Sequence, residues 1–113
     1  MALGLRGLHA SVRPYAEYAH QVARYYGIEP VVTSTYRPWA EQKRLRERWE
    51  AGKSEFPANR PGDSAHNYGL AWDSWVPEED RPAWRAIREW VGFHVPGNDW
   101  VHAAVPNWRQ YRR

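Results

Sequence analysis

No cysteine occurs anywhere in these 113 residues, so a domain of this size has neither disulfides nor a thiolate metal site to hold it together. Its core must come from side-chain packing, and any metal must be bound by His, Asp or Glu. Eight tryptophans and seven tyrosines supply the material. Each ring buries a large area in a small core and can also present a flat face to a ligand. With 42% hydrophobic and 26% charged residues, the chain is too apolar for a disordered segment. Its length suits one core, hence a single domain over residues 1–113.

Periodicity divides that domain into elements. Val12, Tyr15, Ala19, Val22, Ala23 and Tyr26 recur at three- and four-residue steps and predict an amphipathic helix. Pro14 suits its first turn and Gly27 its end. The β-branched run from Val31 to Tyr36 predicts a short strand. A second helix is expected from Pro38 to Gly52, with Trp39, Gln42, Leu45 and Trp49 on one side. Residues 53–65, rich in Pro, Gly and polar side chains, read as a loop. Gly69 to Val76 reads as a strand with Ala71 and Asp73 on one face and Leu70 and Trp72 on the other. Asp80 and Pro82 open a third helix whose apolar stripe is Ala83, Trp84, Ile87, Trp90 and Val91, closed by Gly92. Trp100 to Val105 is the last strand, and the aromatic, basic tail from Pro106 has no assignable element. Helices and strands that do not alternate regularly point to an α+β fold, about three helices packed on a small antiparallel sheet.

Two short stretches carry chemistry. In Ser64-Ala65-His66-Asn67-Tyr68-Gly69-Leu70-Ala71-Trp72-Asp73, a histidine ends a loop and a carboxylate sits inside the strand that follows, with Gly69 free to turn the backbone between them. In Asp99-Trp100-Val101-His102, a second carboxylate and a second imidazole stand at the start of the last strand. Two histidines and a carboxylate with an open fourth position form the ligand set of a hydrolytic zinc site. Zinc so held lowers the pKa of a bound water to about 7 and polarises a scissile carbonyl.

In order and spacing these residues resemble the zinc peptidases that include the D-alanyl-D-alanine carboxypeptidases and dipeptidases (the VanY-like enzymes) and the L-alanyl-D-glutamate endopeptidases of phage endolysins. The family pattern is Ser-x-His, then x-x-Gly-x-Ala-x-Asp, then an acidic residue three before a final His. Ser64, His66, Gly69, Ala71, Asp73, Asp99 and His102 fill it. Upstream, a Ser-x-x-Arg and a helix bearing Gln are filled by Ser34 to Arg37 and by Gln42. The resemblance covers about Val31 to His102. It implies one zinc ion on His66, Asp73 and His102, with Asp99 as general base and Arg37 holding the carbonyl oxygen as charge develops there. Ser64, Gln42, Tyr68 and Trp100 are then expected to bind substrate or to orient the groups that do. Asp at position 99, where the carboxypeptidase and dipeptidase branches usually carry Glu, resembles the endolysin branch. Ala103 stands where many relatives have a bulky apolar residue.

The resemblance therefore implies a monomeric zinc metallopeptidase that hydrolyses a stem-peptide bond of bacterial peptidoglycan, the L-Ala to D-Glu bond first. The alternatives are a D-Ala-D-Ala carboxypeptidase and a cell-wall-binding module that has lost turnover. The net charge of +3 suits any acidic polymer. The run from Lys43 to Arg48 is broken by acidic residues and accompanied by no nucleic-acid-binding motif, so it reads as a solvated helix face and no nucleic-acid partner is expected. The opening MALGLRGLHASVRP is too short and interrupted for a signal peptide or a membrane span. The expectation is a product made in the cytoplasm, without membrane insertion, that reaches the wall after release. His9, His20 and His94 read as surface or hydrogen-bonded residues. Trp72, Trp75 and Trp100 flank the proposed site and have two readings, lining a groove for glycan or peptide and, as the more common role, core packing. In isolation Asp99 could be a turn residue and Arg37 a solvated charge.

Overall fold

The computed structural model describes residues 4–112. Met1 to Leu3, the first residues of the stretch read above for a leader, and Arg113 of the tail lie outside the described residues. Helix α1 (Arg13–Tyr25) leads into strand β1 (Val31–Ser34), and helix α2 (Trp39–Glu50) follows. A single 3-10 turn at Ala65–Tyr68 then feeds β2 (Ala71–Trp75). A second short turn at Glu78–Asp80 precedes α3 (Arg81–Val91), and β3 (His102–Ala104) completes the sheet. The tail forms one more 3-10 turn, Trp108–Tyr111, that buries Trp108.

The three strands pair antiparallel in the order β1-β2-β3, and the alternation of β2 separates two environments. Trp72 and Ser74 are fully buried on the face covered by α1 and α3, whereas Asp73 belongs to the opposite face. Both indole N–H groups on the covered face find acceptors, as buried tryptophans require. Trp72 donates to His20 Nε2 at 3.1 Å, and Trp84 of α3 donates to Ser74 Oγ at 2.8 Å. Burial, with the charges of Arg24 and Arg88, pulls the His20 pKa down to about 4, so the ring is neutral and its proton stays on Nδ1. His20 is thus a core hydrogen-bond acceptor. Trp72 and Trp84 are both inaccessible to solvent, and truncating either to Ala would cost about 3–5 kcal/mol.

Two expected helix faces are rotated. On α1 the buried positions are Ala16, Ala19, His20 and Ala23, while Tyr15 and Tyr26 are 60% and 69% exposed. Small alanines there let α1 lie close against the rest of the core, and the tyrosines of the expected stripe fall outside that contact. On α3 the buried side chains are Trp84 and Arg88, while Ala83 faces out and Trp90 is 70% exposed. Arginine displaces tryptophan inward because its guanidinium is fully engaged: Nε donates to Trp84 O at 3.2 Å, NH1 to Val101 O at 3.2 Å and NH2 to Trp100 O at 2.7 Å. A buried charge survives only with such bonding, and its burial lowers the Arg88 pKa to about 10. Ala103 lies opposite Trp72 in the β2–β3 ladder, and both are fully buried, so the indole takes the volume that a bulky residue would fill. Among the described residues no helix is long and apolar enough to cross a membrane.

Candidate metal centre

The sheet itself brings two of the expected ligands together. Asp73 of β2 pairs directly with His102 of β3, and side chains opposite each other on adjacent strands share a face. On the other side Ser34 of β1 stands opposite Asp73, after a register break between Val32 and Ser34. Such a bulge re-aims the strand at its end, and here the re-aimed end delivers Thr35 and Arg37 to the site.

His66 arrives from the 3-10 turn. Ser64 caps it, its Oγ accepting from His66 N at 3.3 Å. Gly69 ends it with φ +69°, and a Cβ there would come within 2.8 Å of His9 N, so this sharp exit toward β2 demands glycine. The turn is stitched to the strand end by Arg37 N, which donates to His66 O at 2.9 Å. Asn67 braces both neighbours, accepting from Gly62 N at 3.0 Å and donating to Arg37 O at 2.9 Å.

The result is a tight trio. One ligand atom each from His66, Asp73 and His102 lies within 4.8 Å of the others. Asp73 Oδ1 is 3.2 Å from His66 Nε2 and 3.1 Å from His102 Nδ1. A tetrahedral ion with bonds of about 2.0–2.1 Å holds its donors about 3.3 Å apart, so these separations fit zinc. The chemistry of the donors fits as well. His66 Nδ1 is 2.7 Å from Thr35 O, and only a protonated nitrogen can meet a carbonyl at that distance. In a neutral ring Nε2 is then a lone pair facing the Asp73 carboxylate, and two acceptors at 3.2 Å are reconciled by a proton or by a metal ion shared between them. Burial by itself would raise the Asp73 carboxyl, but when the two imidazoles are protonated toward it, hydrogen bonds from His102 and His66 and their charges outweigh burial and hold it well below the usual carboxylate range.

These three side chains lie in a cleft of about 500 Å³ whose other walls include Arg37, Gln42, Arg48, Ser64 and Asp99. Among the described residues the side-chain partners of Arg37 are neutral: NH1 donates to Gln42 Oε1 at 3.0 Å and NH2 to Ser34 Oγ at 3.3 Å. Gln42, only 2% exposed, passes the restraint on by donating to Asn59 O at 2.8 Å. Asp99 is exposed in the same cleft, in the turn just before β3. Partial burial raises its carboxyl above the ordinary value, against the lowering charge of His102.

Of the expected site residues, His66, Asp73, His102, Asp99, Arg37, Gln42 and Ser64 share this cleft. Tyr68 and Trp100 are not among its walls. Tyr68 donates its hydroxyl to Gly62 O at 2.7 Å and packs edge-on to Trp39. Trp100 lies under the Arg81 guanidinium, 4.2 Å from the ring centre. Sequence reasoning missed Arg48, read as part of a solvated face, and also Thr35, whose contribution is a backbone carbonyl and leaves no trace in side-chain type.

Residues 6–103 match the family described as VanY, D-alanyl-D-alanine carboxypeptidase. No curated protein sequence matches the chain. Among solved structures, VanYB in complex with D-alanyl-D-alanine is similar with a TM-score of 0.72 at 19% identity, over 91% of this chain and 74% of that one. A vancomycin resistance D,D-pentapeptidase VanY in complex with Zn(II) gives 0.69 at 20% identity, over 87% and 72%. The L-Ala D-Glu endopeptidase ChiX of Serratia marcescens gives 0.59 at 23% identity, over 95% and 86%. At these identities the likeness is one of fold.

Proposed function

Because the chain belongs to the VanY family of peptidoglycan peptidases, we propose that it is a zinc-dependent enzyme that hydrolyses the L-Ala to D-Glu bond of the stem peptide. The observation that carries the metal chemistry is the trio of His66, Asp73 and His102, with donor atoms within 4.8 Å of one another in a cleft shared with Arg37 and Asp99. Bound there, one zinc ion supplies a water that is nucleophilic at neutral pH and a Lewis acid for the scissile carbonyl. Thr35 O orients His66 by holding its Nδ1 proton, as metal-binding histidines require. The Asp99 carboxylate takes a proton from the attacking water and delivers it to the leaving amine, and its raised pKa makes it the stronger base. Arg37, fixed by Gln42 and Ser34 and paired with no carboxylate among the described residues, offers its charge to the carbonyl oxygen as that oxygen becomes anionic. Ser64 caps the turn that presents His66.

The choice of bond rests on Asp99, since the family resemblance associates Asp at that place with the endopeptidase branch. Cleavage of terminal D-Ala-D-Ala is the second reading, favoured by the family description. Residues 1–113 act as one peptidase domain, as a monomer, on the cell wall, without nucleic acid or membrane partners. Mass spectrometry of purified peptidoglycan digested with and without a chelator separates the readings. New D-Glu amino termini that vanish with chelation support the endopeptidase. Loss of terminal D-Ala transfers the activity to the second reading, and wall binding with no new amines leaves a binding module.

A further inference from the structure

Asp99 sits on a turn that makes few backbone bonds of its own. Within residues 95–101 the bonds are Asp99 N to Pro96 O at 3.4 Å, Asp99 O accepting from His102 N at 3.1 Å, and Val101 O accepting from Ser74 N at 3.0 Å. What spans the turn comes from α3. Arg85 donates from NH1 to Val95 O at 2.7 Å and from NH2 to Pro96 O at 2.8 Å. Arg88, one turn further along the same helix face, donates to Trp100 O at 2.7 Å and Val101 O at 3.2 Å. Two planar forks thus grip two pairs of consecutive carbonyls, one pair on each side of Gly97-Asn98-Asp99. Neither fork forms an ion pair with the site's carboxylates: among the described residues Arg88 has no ion pair, and Arg85 pairs with Glu89 of its own helix, at 4.0 Å.

We propose that Arg85 and Arg88 are positioning residues that clamp both ends of the 95–101 turn and so set the place of the Asp99 carboxylate relative to His66, Asp73 and His102. The inference rests on the reading of Asp99 as general base. It assigns α3, which contributes no wall to the cleft, a direct part in turnover. A rigid fork suits the task, because a bidentate guanidinium fixes direction as well as distance whereas an ammonium fixes neither.

Arg85 is the better probe, since it is only partly buried and its loss should spare the core. In the zinc-loaded enzyme acting on purified peptidoglycan, Arg85→Met is expected to keep the metal stoichiometry and melting profile. It should lower kcat roughly ten- to a hundredfold with KM little changed, the scale of a catalytic group misplaced by about an ångström. In an Asp99→Asn background the same substitution should cause no further loss, because it acts through Asp99. Arg85→Lys, which keeps charge and stem, should fall between wild type and Arg85→Met, and it serves as the probe if the methionine variant does not fold. Equal losses in both backgrounds, unchanged turnover in a folded variant, or loss of zinc would each overturn the clamp. If Asp99→Asn alone turns over normally, the reading of Asp99 as base fails. The clamp is then read by amide exchange across 97–101, expected to accelerate in Arg85→Met and overturned if unchanged.

Discussion

His66 Nδ1 lies 2.7 Å from the carbonyl oxygen of Thr35, and that contact selects Nε2 as the nitrogen available to the site. The end of β1 therefore controls the electronics of a residue 31 positions away in the chain.

Removing this imidazole should remove the metal. His66→Ala is expected to lose both bound zinc and peptidoglycan cleavage, whereas Asp99→Asn should retain one zinc per chain while kcat falls about 10²–10⁴-fold. Metal analysis alongside amine release separates the two classes. Full turnover in the Asp99 variant would remove it from the reaction.

Chelation should abolish amine release, and added zinc should restore it. Because the ion binds the folded chain, its addition should also raise the melting temperature with zinc concentration. His102→Ala should blunt that rise. A melting temperature indifferent to zinc would contradict the proposed site.

Arg37→Met is expected to lower kcat about 10²–10³-fold, the usual scale for one oxyanion donor, with KM less affected. Gln42→Leu should reproduce part of this loss, since it frees Arg37 NH1 and also unties Asn59 O. An effect of Arg37→Met on KM alone would make it a binder of the ground-state substrate.

Stability should fall in mild acid because of His20. Its pKa is 6.5 in the unfolded chain and about 4 when buried beside Trp72. Above 6.5 both states hold it neutral. As pH drops through that window only the unfolded chain gains the proton, so stability declines until about pH 4. By pH 5 the loss is about 2 kcal/mol. His20→Gln keeps an acceptor for Trp72 Nε1 without titrating, so urea melts of the two proteins should diverge between pH 7 and pH 5. Parallel curves would place the acid sensitivity elsewhere.

Gly69→Ala should cost about 1–3 kcal/mol, since φ +69° is strained for alanine and its Cβ would crowd His9 N. The strain falls on the exit of the turn that presents His66, so zinc affinity should drop with the melting temperature. An unchanged affinity would show that His66 is held independently of that exit.

The candidate metal site was legible in the sequence because such a site demands particular side chains at particular intervals, and His66, Asp73 and His102, which the fold brings together, satisfy a pattern that core packing has no reason to produce. The strands were legible for a related reason: alternation along β2 assigns Asp73 and Trp72 to opposite faces. Helix faces were harder. Hydrophobicity put Trp90 inside α3 and left out Arg88, because the carbonyls of Trp100 and Val101 that satisfy Arg88 belong to a distant segment. Tyr15 and Tyr26 misled in the same way, as α1 buries its alanines for close approach. Arg48 reads as one more charge on a polar helix until the 53–60 loop folds back to form the other wall of the cleft. Tyr68 and Trp100 border the ligands in sequence, yet their rings turn to Trp39 and Arg81.

The pairing of Asp73 with His102 is a rung of the β-ladder, so the gauge that separates these two donors is the interstrand spacing of a sheet, common to every antiparallel pair. Ser54, Phe56 and Pro57 line the cleft outside that rung, whereas Asn59, Gly62 and Pro96 are tied through backbone atoms to Gln42, Asn67 and Arg85. A scaffold of this kind leaves the cleft wall at Ser54, Phe56 and Pro57 open to change while the rung between Asp73 and His102 stays fixed.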